Sequence, residues 1–242
     1  MDKINHIGII GSGTMGNGIA HVFGISDYKV SLIDLDKKIL NHAMETILKN
    51  MKRQVSKGLI SEPDMNKGFN NISINTNMQS LSDSDIVIEA VSENETIKSR
   101  VFKELDSICK ESTILASNTS SISISKIASA TNRPDKVIGM HFMNPVPVMK
   151  LIEVIKGKET SRKTIETVLK ISEKLNKIPL ECNDSPGFIS NRILMPLINE
   201  AAFCMMENIA DKESIDGIIK LGMGHPMGPL ALADLIGIDV CV

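Results

Sequence analysis

The chain has 242 residues, of which 42% are hydrophobic and 23% are charged, and its formal net charge is -2. This composition is typical of a well-packed globular protein with one large or two modest domains. The basic residues are scattered, which argues against the charged stripe of a nucleic-acid-binding protein. No apolar stretch approaches the roughly 18 residues of a membrane span. We therefore expect neither a nucleic acid nor a membrane as a partner.

Four cysteines lie far apart, and no two of them form a Cys-x-x-Cys pair: Cys109, Cys182, Cys204 and Cys241. This spacing favours reduced, mostly buried thiols over a disulfide framework or a zinc site. The amino-terminal residues run straight into a predicted strand and carry no export signal. We expect a cytoplasmic protein without a bound metal.

Short β-branched runs alternate with longer amphipathic segments along the first three quarters of the chain. Predicted strands are NHIGII, KVSLID and SDIVIEAV, and they are followed by predicted helices from about Met15, over residues 37–57 and over residues 96–110. The pattern continues through STILAS and DKVIGMH, and then through KLIEVIKG and NKIPLECN with a helix over residues 161–175 between them. This alternation predicts an α/β fold, a doubly wound parallel sheet with helical crossovers.

The pattern changes after the stretch NDSPG. From there the chain reads FISNRILMPLINEAAFCMMENIA and then DKESIDGIIKLGMG, with Asp211 as a predicted helix N-cap. Strand signals are almost absent from these segments. We predict a domain boundary near Asp184, with the sheet domain over residues 1–183 and an all-helical domain over residues 184–242.

Three glycines form a Gly-x-Gly-x-x-Gly turn at the end of the first predicted strand: Gly11, Gly13 and Gly16. The helix that follows presents free N–H groups around Thr14 and Met15, and such a helix start binds pyrophosphate. Gly11 permits the tight turn, Gly13 allows close approach of the phosphates, and Gly16 allows close packing of helix against strand. The spacing predicts a dinucleotide site.

Asp34 ends the second predicted strand, about 20 residues after the turn, where a carboxylate accepts hydrogen bonds from an adenine ribose. The same carboxylate repels a 2′-phosphate, so the sequence favours NAD over NADP. Two alternatives stay open. In the first, the glycines make only a strand-to-helix turn and bind no ligand. In the second, Asp36 caps the next helix and Asp34 is a turn residue.

His141 lies at the carboxyl end of a predicted strand, which is the edge where open parallel sheets bind ligands. Glu153 lies in the next predicted strand, in an otherwise apolar run, and a buried carboxylate needs a partner. A carboxylate paired with a histidine fixes its tautomer and stabilises the imidazolium. The two residues are predicted to form a general acid and base. The alternative for a single histidine at this place is a structural role.

Six stretches resemble those of a known family, and their order and spacing along the chain are distinctive: GSGTMGNGIA, EAVSENETIK, ASNTSSISI, HFMNPVPVMKLIEVI, DSPGFISNRILMPLINEA and MGHPMGPLALADLIGIDV. With these motifs the chain resembles the 3-hydroxyacyl-CoA dehydrogenase family, and especially its bacterial members that act on 3-hydroxybutyryl-CoA. The resemblance runs from residue 4 to the last residue. It implies a Rossmann-type NAD-binding domain followed by an all-α domain.

The resemblance also implies an activity and the residues that perform it. The expected reaction is the NAD-dependent interconversion of 3-hydroxybutyryl-CoA and acetoacetyl-CoA. His141 matches the family's catalytic histidine and Glu153 its carboxylate partner. Ser120 matches a serine that contacts both substrate and nicotinamide, and Asn191 matches an asparagine of the substrate pocket. From the residues alone, Ser120 suits a turn or cap, and Asn191 suits a capping or core amide.

Further positions match the family's binding residues. Glu93, Lys98 and Asn144 match residues that line the NAD site. Lys57 matches a lysine that approaches the CoA phosphates, and Asn50, on the same predicted helix, matches a polar companion. The simplest alternative for Lys57 and its basic neighbours is a solvated helix face.

Family members extend further at their carboxyl ends than this chain, so the resemblance implies an incomplete helical domain. That domain covers the CoA ester and forms a homodimer interface in the family, and a homodimer is expected where it is intact. Two alternatives remain for the function. One is a non-catalytic NAD-binding relative, and the other is a dehydrogenase of the hydroxyisobutyrate type, which uses a catalytic lysine.

Overall fold

The computed structural model describes residues 4–241, and these fall into two compact units. The first unit ends at Pro186 and combines a sheet with helices, while the second begins at Gly187 and is helical. The division lies close to the boundary expected near Asp184.

The first unit contains eight strands and six α-helices among its described residues. The strands are β1 His6–Ile10, β2 Lys29–Ile33, β3 Ile72–Asn75, β4 Ile86–Glu89, β5 Ile114–Ser117, β6 Val137–Phe142, β7 Leu151–Lys156 and β8 Ile178–Asn183. The helices are α1 Thr14–Ile25, α2 Lys37–Ser56, α3 Glu62–Asn70, α4 Glu95–Ile108, α5 Ile124–Ala128 and α6 Arg162–Lys174.

The strands form one sheet in the order β3-β2-β1-β4-β5-β6-β7-β8. The order reverses between β1 and β4, which is the pattern of a Rossmann-type doubly wound sheet. The predicted α/β class is confirmed. The sequence pattern did not predict α3 and β3, which complete the first half of the sheet.

Strands β7 and β8 are parallel to each other and run opposite to the other six, which departs from the expected parallel arrangement. β7 pairs with β6 in the antiparallel direction, with His141 opposite Glu153. Only a short loop joins the two strands, and parallel neighbours need a crossover of a dozen or more residues. The length of this loop therefore dictates the antiparallel pairing, and the expectation of a fully parallel sheet was wrong here.

Apolar strands and capped helices form the core of the first unit. Central strands β1 and β4 are buried on both sides, which explains why they are continuous apolar runs. Asp36 caps α2 by accepting a hydrogen bond from Lys38 N at 2.7 Å. The alternative role considered for Asp36 is therefore confirmed, and it leaves Asp34 available for another role.

The second unit contains four helices among its described residues: α7 Ser190–Met206, α8 Lys212–Met223, α9 Pro229–Ile236 and α10 Ile238–Cys241. Asp211 caps α8 by accepting a hydrogen bond from Ser214 N at 2.8 Å, as predicted. A small core of Ala201, Ile215 and Leu230 joins α7, α8 and α9. Within residues 4–241, no helix has the length and apolar character needed to cross a membrane.

Candidate active site

The glycine turn follows β1 at the point where the strand order reverses, and its three glycines have different surroundings. Gly11 has a φ of +89°, and a Cβ there would lie 2.5 Å from the carbonyl oxygen of Ala90. A Cβ on Gly16 would lie 1.7 Å from the carbonyl oxygen of Gly11. A Cβ on Gly13 would meet no atom of the described chain within 4 Å. The backbone itself requires Gly11 and Gly16, whereas Gly13 faces open space.

Helix α1 begins at Thr14, directly after this turn, with Gly13 as its N-cap residue. No side chain of the described residues caps this helix start. The first N–H groups of a helix, here around Thr14 and Met15, have no partner within the helix, and they add to the positive end of its dipole. The open space at Gly13 and these donors suit a phosphate group.

Asp34 lies just beyond β2 and contacts the glycine turn. Its Oδ2 accepts hydrogen bonds from Ser12 N at 2.7 Å and from Ser12 Oγ at 2.8 Å. Its Oδ1 accepts one from Leu35 N at 2.7 Å. The Asp34 carboxylate thus holds Ser12, and with it the glycine turn, in place. Sequence reasoning missed Ser12, whose only signal was its position between two of the glycines.

His141 and Glu153 face each other across the antiparallel pair β6 and β7. The distance between His141 Nδ1 and Glu153 Oε2 is 2.7 Å, and the two side chains are only 11% and 5% exposed. An ionised carboxylate only accepts hydrogen bonds, so the proton of this contact is on Nδ1. The tautomer is thereby fixed, and Nε2 is the ring nitrogen placed to exchange protons.

The loop after β5 carries Ser120, and Glu93 holds this loop. Glu93 Oε1 accepts hydrogen bonds from Thr119 Oγ1, from Ser120 N at 3.0 Å and from Ser121 N at 3.1 Å. Burial raises the pKa of Glu93, but the hydrogen bonds from residues 119–121 and the charge of Lys98 together outweigh burial, and the pKa lies below its usual value. Glu93 is therefore a carboxylate at neutral pH.

Lys98 lies on α4 and is buried beneath this loop. Its side chain is 1% exposed, and Nζ lies 2.6 Å from Glu89 Oε1 and 3.3 Å from Glu93 Oε2. Glu89 ends β4 and is fully buried. The ammonium group is thus shared between two carboxylates, which is the arrangement a buried charge needs.

Asn144 lies in the loop between β6 and β7, where the bond from Asn144 to Pro145 is cis. Lys177 holds this loop by donating hydrogen bonds to the carbonyl oxygens of Val146 and Met149, the latter at 2.6 Å. Lys177 is buried, and burial together with the positive charge of Lys150 lowers its pKa to about 8.

The lowered pKa of Lys177 predicts how its contribution to stability changes with pH. Lysine has a pKa of about 10.4 in the unfolded chain, so between pH 8 and pH 10 the unfolded state binds more protons than the folded state. Stability from this group therefore rises with pH over that interval. We expect Lys177→Met to cost about 1–3 kcal/mol at pH 7, because two carbonyl groups lose their donor.

The measurement is urea unfolding of both proteins at pH 7, 8, 9 and 10. The difference in the free energy of unfolding, wild type minus Lys177→Met, should increase with pH. The charged neighbour Lys150 is present in both proteins, so its titration largely cancels in the difference. Burial lowers the pKa of His21, the other titratable neighbour, so this histidine is mostly neutral over the series. A difference that is constant across the series would show that Lys177 titrates as it does in the unfolded chain.

The remaining site residues from the sequence lie elsewhere. Asn50 is half-buried on α2, and Lys57 is exposed at the carboxyl end of the same helix. Asn191 is half-buried in the first turn of α7, in the second compact unit. The structure thus brings His141 and Glu153 together, and separately Ser120, Glu93 and Lys98.

Two family descriptions match consecutive parts of the chain. The NAD-binding domain of 3-hydroxyacyl-CoA dehydrogenase matches residues 6–185, and the C-terminal domain of the same enzyme matches residues 187–242. The chain belongs to the 3-hydroxyacyl-CoA dehydrogenase family. It is an NAD-binding dehydrogenase, as the resemblance of its motifs implied.

Comparisons with individual proteins indicate the same family. The chain is 48% identical to the probable 3-hydroxybutyryl-CoA dehydrogenase of Bacillus subtilis over 99% of this chain and 84% of that protein. It is 50% identical to the 3-hydroxybutyryl-CoA dehydrogenase of Clostridioides difficile over 97% of this chain and 83% of that protein. The crystal structure of (S)-3-hydroxybutyryl-CoA dehydrogenase from Ralstonia eutropha matches with a TM-score of 0.96 and 44% identity, over 99% of this chain and 84% of that chain.

The residues around the glycine turn fit NAD. The glycine turn leaves open space at Gly13, the start of α1 offers main-chain donors beside it, and Asp34 lies at the end of the neighbouring strand. The first two features suit the pyrophosphate, and the Asp34 carboxylate suits the ribose.

Sequence reasoning missed Glu89, Ser117 and Lys177. Glu89 carried a readable signal, because it is a carboxylate in a buried apolar strand, as is Glu153. Ser117 and Lys177 lie in segments where serine and lysine are common, and only the tertiary contacts distinguish them.

Proposed function

We propose that this dehydrogenase interconverts acetoacetyl-CoA and 3-hydroxybutyryl-CoA, with His141 as the general acid and base. The observation that carries the proposal is the 2.7 Å contact between His141 Nδ1 and Glu153 Oε2. His141 lies on β6, and the carboxyl end of this strand is at the same edge of the sheet as the glycine turn. The short acyl chain is supported by relatives that are named 3-hydroxybutyryl-CoA dehydrogenases.

His141 moves the proton in both directions of the proposed reaction. In reduction, protonated His141 donates the proton from Nε2 to the C3 oxygen, and in oxidation neutral His141 removes it. Glu153 holds the ring and stabilises the imidazolium through Nδ1. The glycine turn, the start of α1 and Asp34 would hold NAD, and this cofactor would supply the hydride chemistry at C3.

Other residues orient the substrate and the cofactor in this proposal. The Ser120 hydroxyl orients the substrate oxygen at C3, which holds the reacting carbon in place. Glu93 and Asn144 line the NAD site, and Lys98 holds the Glu93 carboxylate from the buried side. This assignment is supported by the contact of Glu93 with the Ser120 loop.

On α2, we assign Asn50 and Lys57 to the CoA portion of the substrate. Lys57 is exposed at the end of the helix, and a flexible ammonium group in this position suits a phosphate.

The proposal also includes that the protein forms a homodimer and that it acts in the cytoplasm. Large apolar side chains are exposed on the second unit, among them Ile218 and Leu221 on α8, and exposed apolar patches are typical of association surfaces. The four cysteines are free, which suits a reducing compartment.

The proposed function is tested by initial rates of NADH consumption with acetoacetyl-CoA. We expect consumption that saturates with acetoacetyl-CoA, and a far lower rate with free acetoacetate, because binding energy from the CoA portion is then lost. Binding of NADH without consumption would instead identify a non-catalytic NAD-binding protein.

Asp34 is expected to set the choice between NADH and NADPH. The wild type should prefer NADH, and Asp34→Ser should reduce that preference about 10- to 100-fold, which corresponds to the loss of a hydrogen bond to a charged group. The measurement is kcat/KM for each cofactor at fixed acetoacetyl-CoA. Because Asp34 also holds Ser12, the ratio of the two values is the readout, since loosening of the turn affects both cofactors.

Asp36→Asn is the matched control for this experiment. It changes a carboxylate two residues away whose role is to cap α2. The cofactor ratio should stay at the wild-type value. An unchanged ratio in Asp34→Ser, or a wild type that prefers NADPH, would contradict the role of Asp34.

A further inference from the structure

Glu89 is a fully buried carboxylate that accepts three hydrogen bonds. Its Oε1 accepts from Val91 N at 2.7 Å and from Lys98 Nζ at 2.6 Å, and its Oε2 accepts from Ser117 Oγ at 2.6 Å. Burying a carboxylate costs free energy unless its oxygens are paired. The three donors meet that need, and two of them lead to the loop that carries Ser120.

The first connection runs through charge. Lys98 lies between Glu89 and Glu93, and Glu93 accepts hydrogen bonds from the main-chain N–H groups of Ser120 and Ser121. Glu89 fixes the ammonium group of Lys98, and that ammonium group fixes the outer carboxylate. The position of Glu93, and with it that of the loop, depends on the buried charge of Glu89.

The second connection runs through the end of β5. Ser117 lies opposite Glu89 in the sheet register and donates its hydroxyl proton to Glu89 Oε2. The same hydroxyl oxygen accepts a hydrogen bond from Thr119 N at 3.3 Å. Glu89 therefore orients Ser117, which in turn holds the residue directly before Ser120.

We propose that Glu89 is a positioning residue for the dehydrogenase reaction, which acts on Ser120 through both Lys98 and Ser117. The proposal rests on the proposed function for its catalytic consequence. The underlying claim, that Glu89 holds the loop over residues 117–121, is independent of the substrate. It predicts that removal of the Glu89 charge loosens this loop while the distant core stays intact.

The test uses Glu89→Gln, which keeps the size of the side chain and removes its charge. The matched control is Asp106→Asn, which alters another buried ion pair, that of Asp106 with Arg133, at the other end of α4. Asp106 and Arg133 have side-chain exposures of 8% and 10%. Each variant therefore disturbs a buried ion pair with one member on α4, Lys98 in one case and Asp106 in the other. We expect both to lower the melting temperature.

Hydrogen exchange at the amides of Ser120 and Ser121 is the first readout, and it needs no substrate. We expect these amides to exchange roughly 10- to 100-fold faster in Glu89→Gln, because the carboxylate that accepts from them is no longer fixed. In Asp106→Asn their exchange should stay within about twofold of the wild-type rate. Unchanged exchange in Glu89→Gln would overturn the proposal, whether or not the protein turns over acetoacetyl-CoA.

The second readout is the division between kcat and KM with acetoacetyl-CoA and NADH. Glu89→Gln should lower kcat about 10- to 100-fold through misplacement of Ser120, whereas Asp106→Asn should retain wild-type kcat.

Ser117→Ala removes only the second connection, and it replaces Glu89→Gln as the test variant if Glu89→Gln does not fold. It should speed exchange at Ser120 with a smaller drop in melting temperature than Glu89→Gln, because the charge pair with Lys98 remains. Wild-type exchange and kcat in this variant would overturn the proposal. Absence of turnover in the wild type would refute the proposed function and leave the exchange result to decide the role of Glu89.

Discussion

Replacement of His141 by alanine is expected to lower kcat for acetoacetyl-CoA reduction by about 10²- to 10⁴-fold, the usual contribution of a positioned general acid. NADH binding should persist, because the glycine turn and Asp34 stay intact. The measurement is stopped-flow NADH oxidation with saturating acetoacetyl-CoA, together with a fluorescence titration of NADH.

Two further variants sharpen this result. His42→Ala removes an exposed histidine on α2 and should retain the wild-type kcat. Glu153→Gln keeps a hydrogen-bond acceptor for Nδ1 but removes the charge that stabilises the imidazolium, so an intermediate loss is expected. Wild-type turnover by His141→Ala would exclude the His141–Glu153 mechanism and favour the alternative that uses a catalytic lysine.

Gly16→Ala is expected to abolish measurable NADH binding and to lower the melting temperature by roughly 3–10 °C. The reason is steric, because the new Cβ would lie 1.7 Å from the carbonyl oxygen of Gly11 and would force α1 away from the turn. NADH binding is measured by calorimetry, and melting is followed by circular dichroism.

Gly13→Ala is the matched variant within the same turn. Its Cβ meets no atom of the described chain within 4 Å, and its φ of -60° is accessible to alanine, so the free energy of unfolding should change by less than about 0.5 kcal/mol. NADH binding should nevertheless weaken markedly, because the methyl group occupies space needed by the pyrophosphate. Wild-type affinity in Gly13→Ala would show that the cofactor does not approach this turn closely.

Much of the first unit was predictable because its signals are local. The glycine turn, the strand before it and the helix after it follow from residues that are neighbours in sequence. The antiparallel β7 was not predicted, because alternation of apolar segments does not encode strand direction. The length of the loop between β6 and β7 does encode it, and the same loop explains how Glu153 comes to lie opposite His141.

The contacts of the charged residues were less predictable. Lys98 was expected to line the NAD site, and the structure shows its ammonium group buried between Glu89 and Glu93. A lysine on an amphipathic helix is exposed by default, and only the buried carboxylate at the end of β4 reverses that expectation. Sequence reasoning applied the rule for buried carboxylates to Glu153 and did not apply it to Glu89.

The fate of the hydride tests the central claim most directly. The intact chain is incubated with acetoacetyl-CoA and NADH that carries deuterium at both C4 positions, and the acyl-CoA product is analysed by mass spectrometry and NMR. The proposed function predicts 3-hydroxybutyryl-CoA with one deuterium atom, bound to C3, because the hydride passes directly between cofactor and substrate. Recovery of unchanged acetoacetyl-CoA in the presence of bound NADH, or of a product without deuterium at C3, would contradict it.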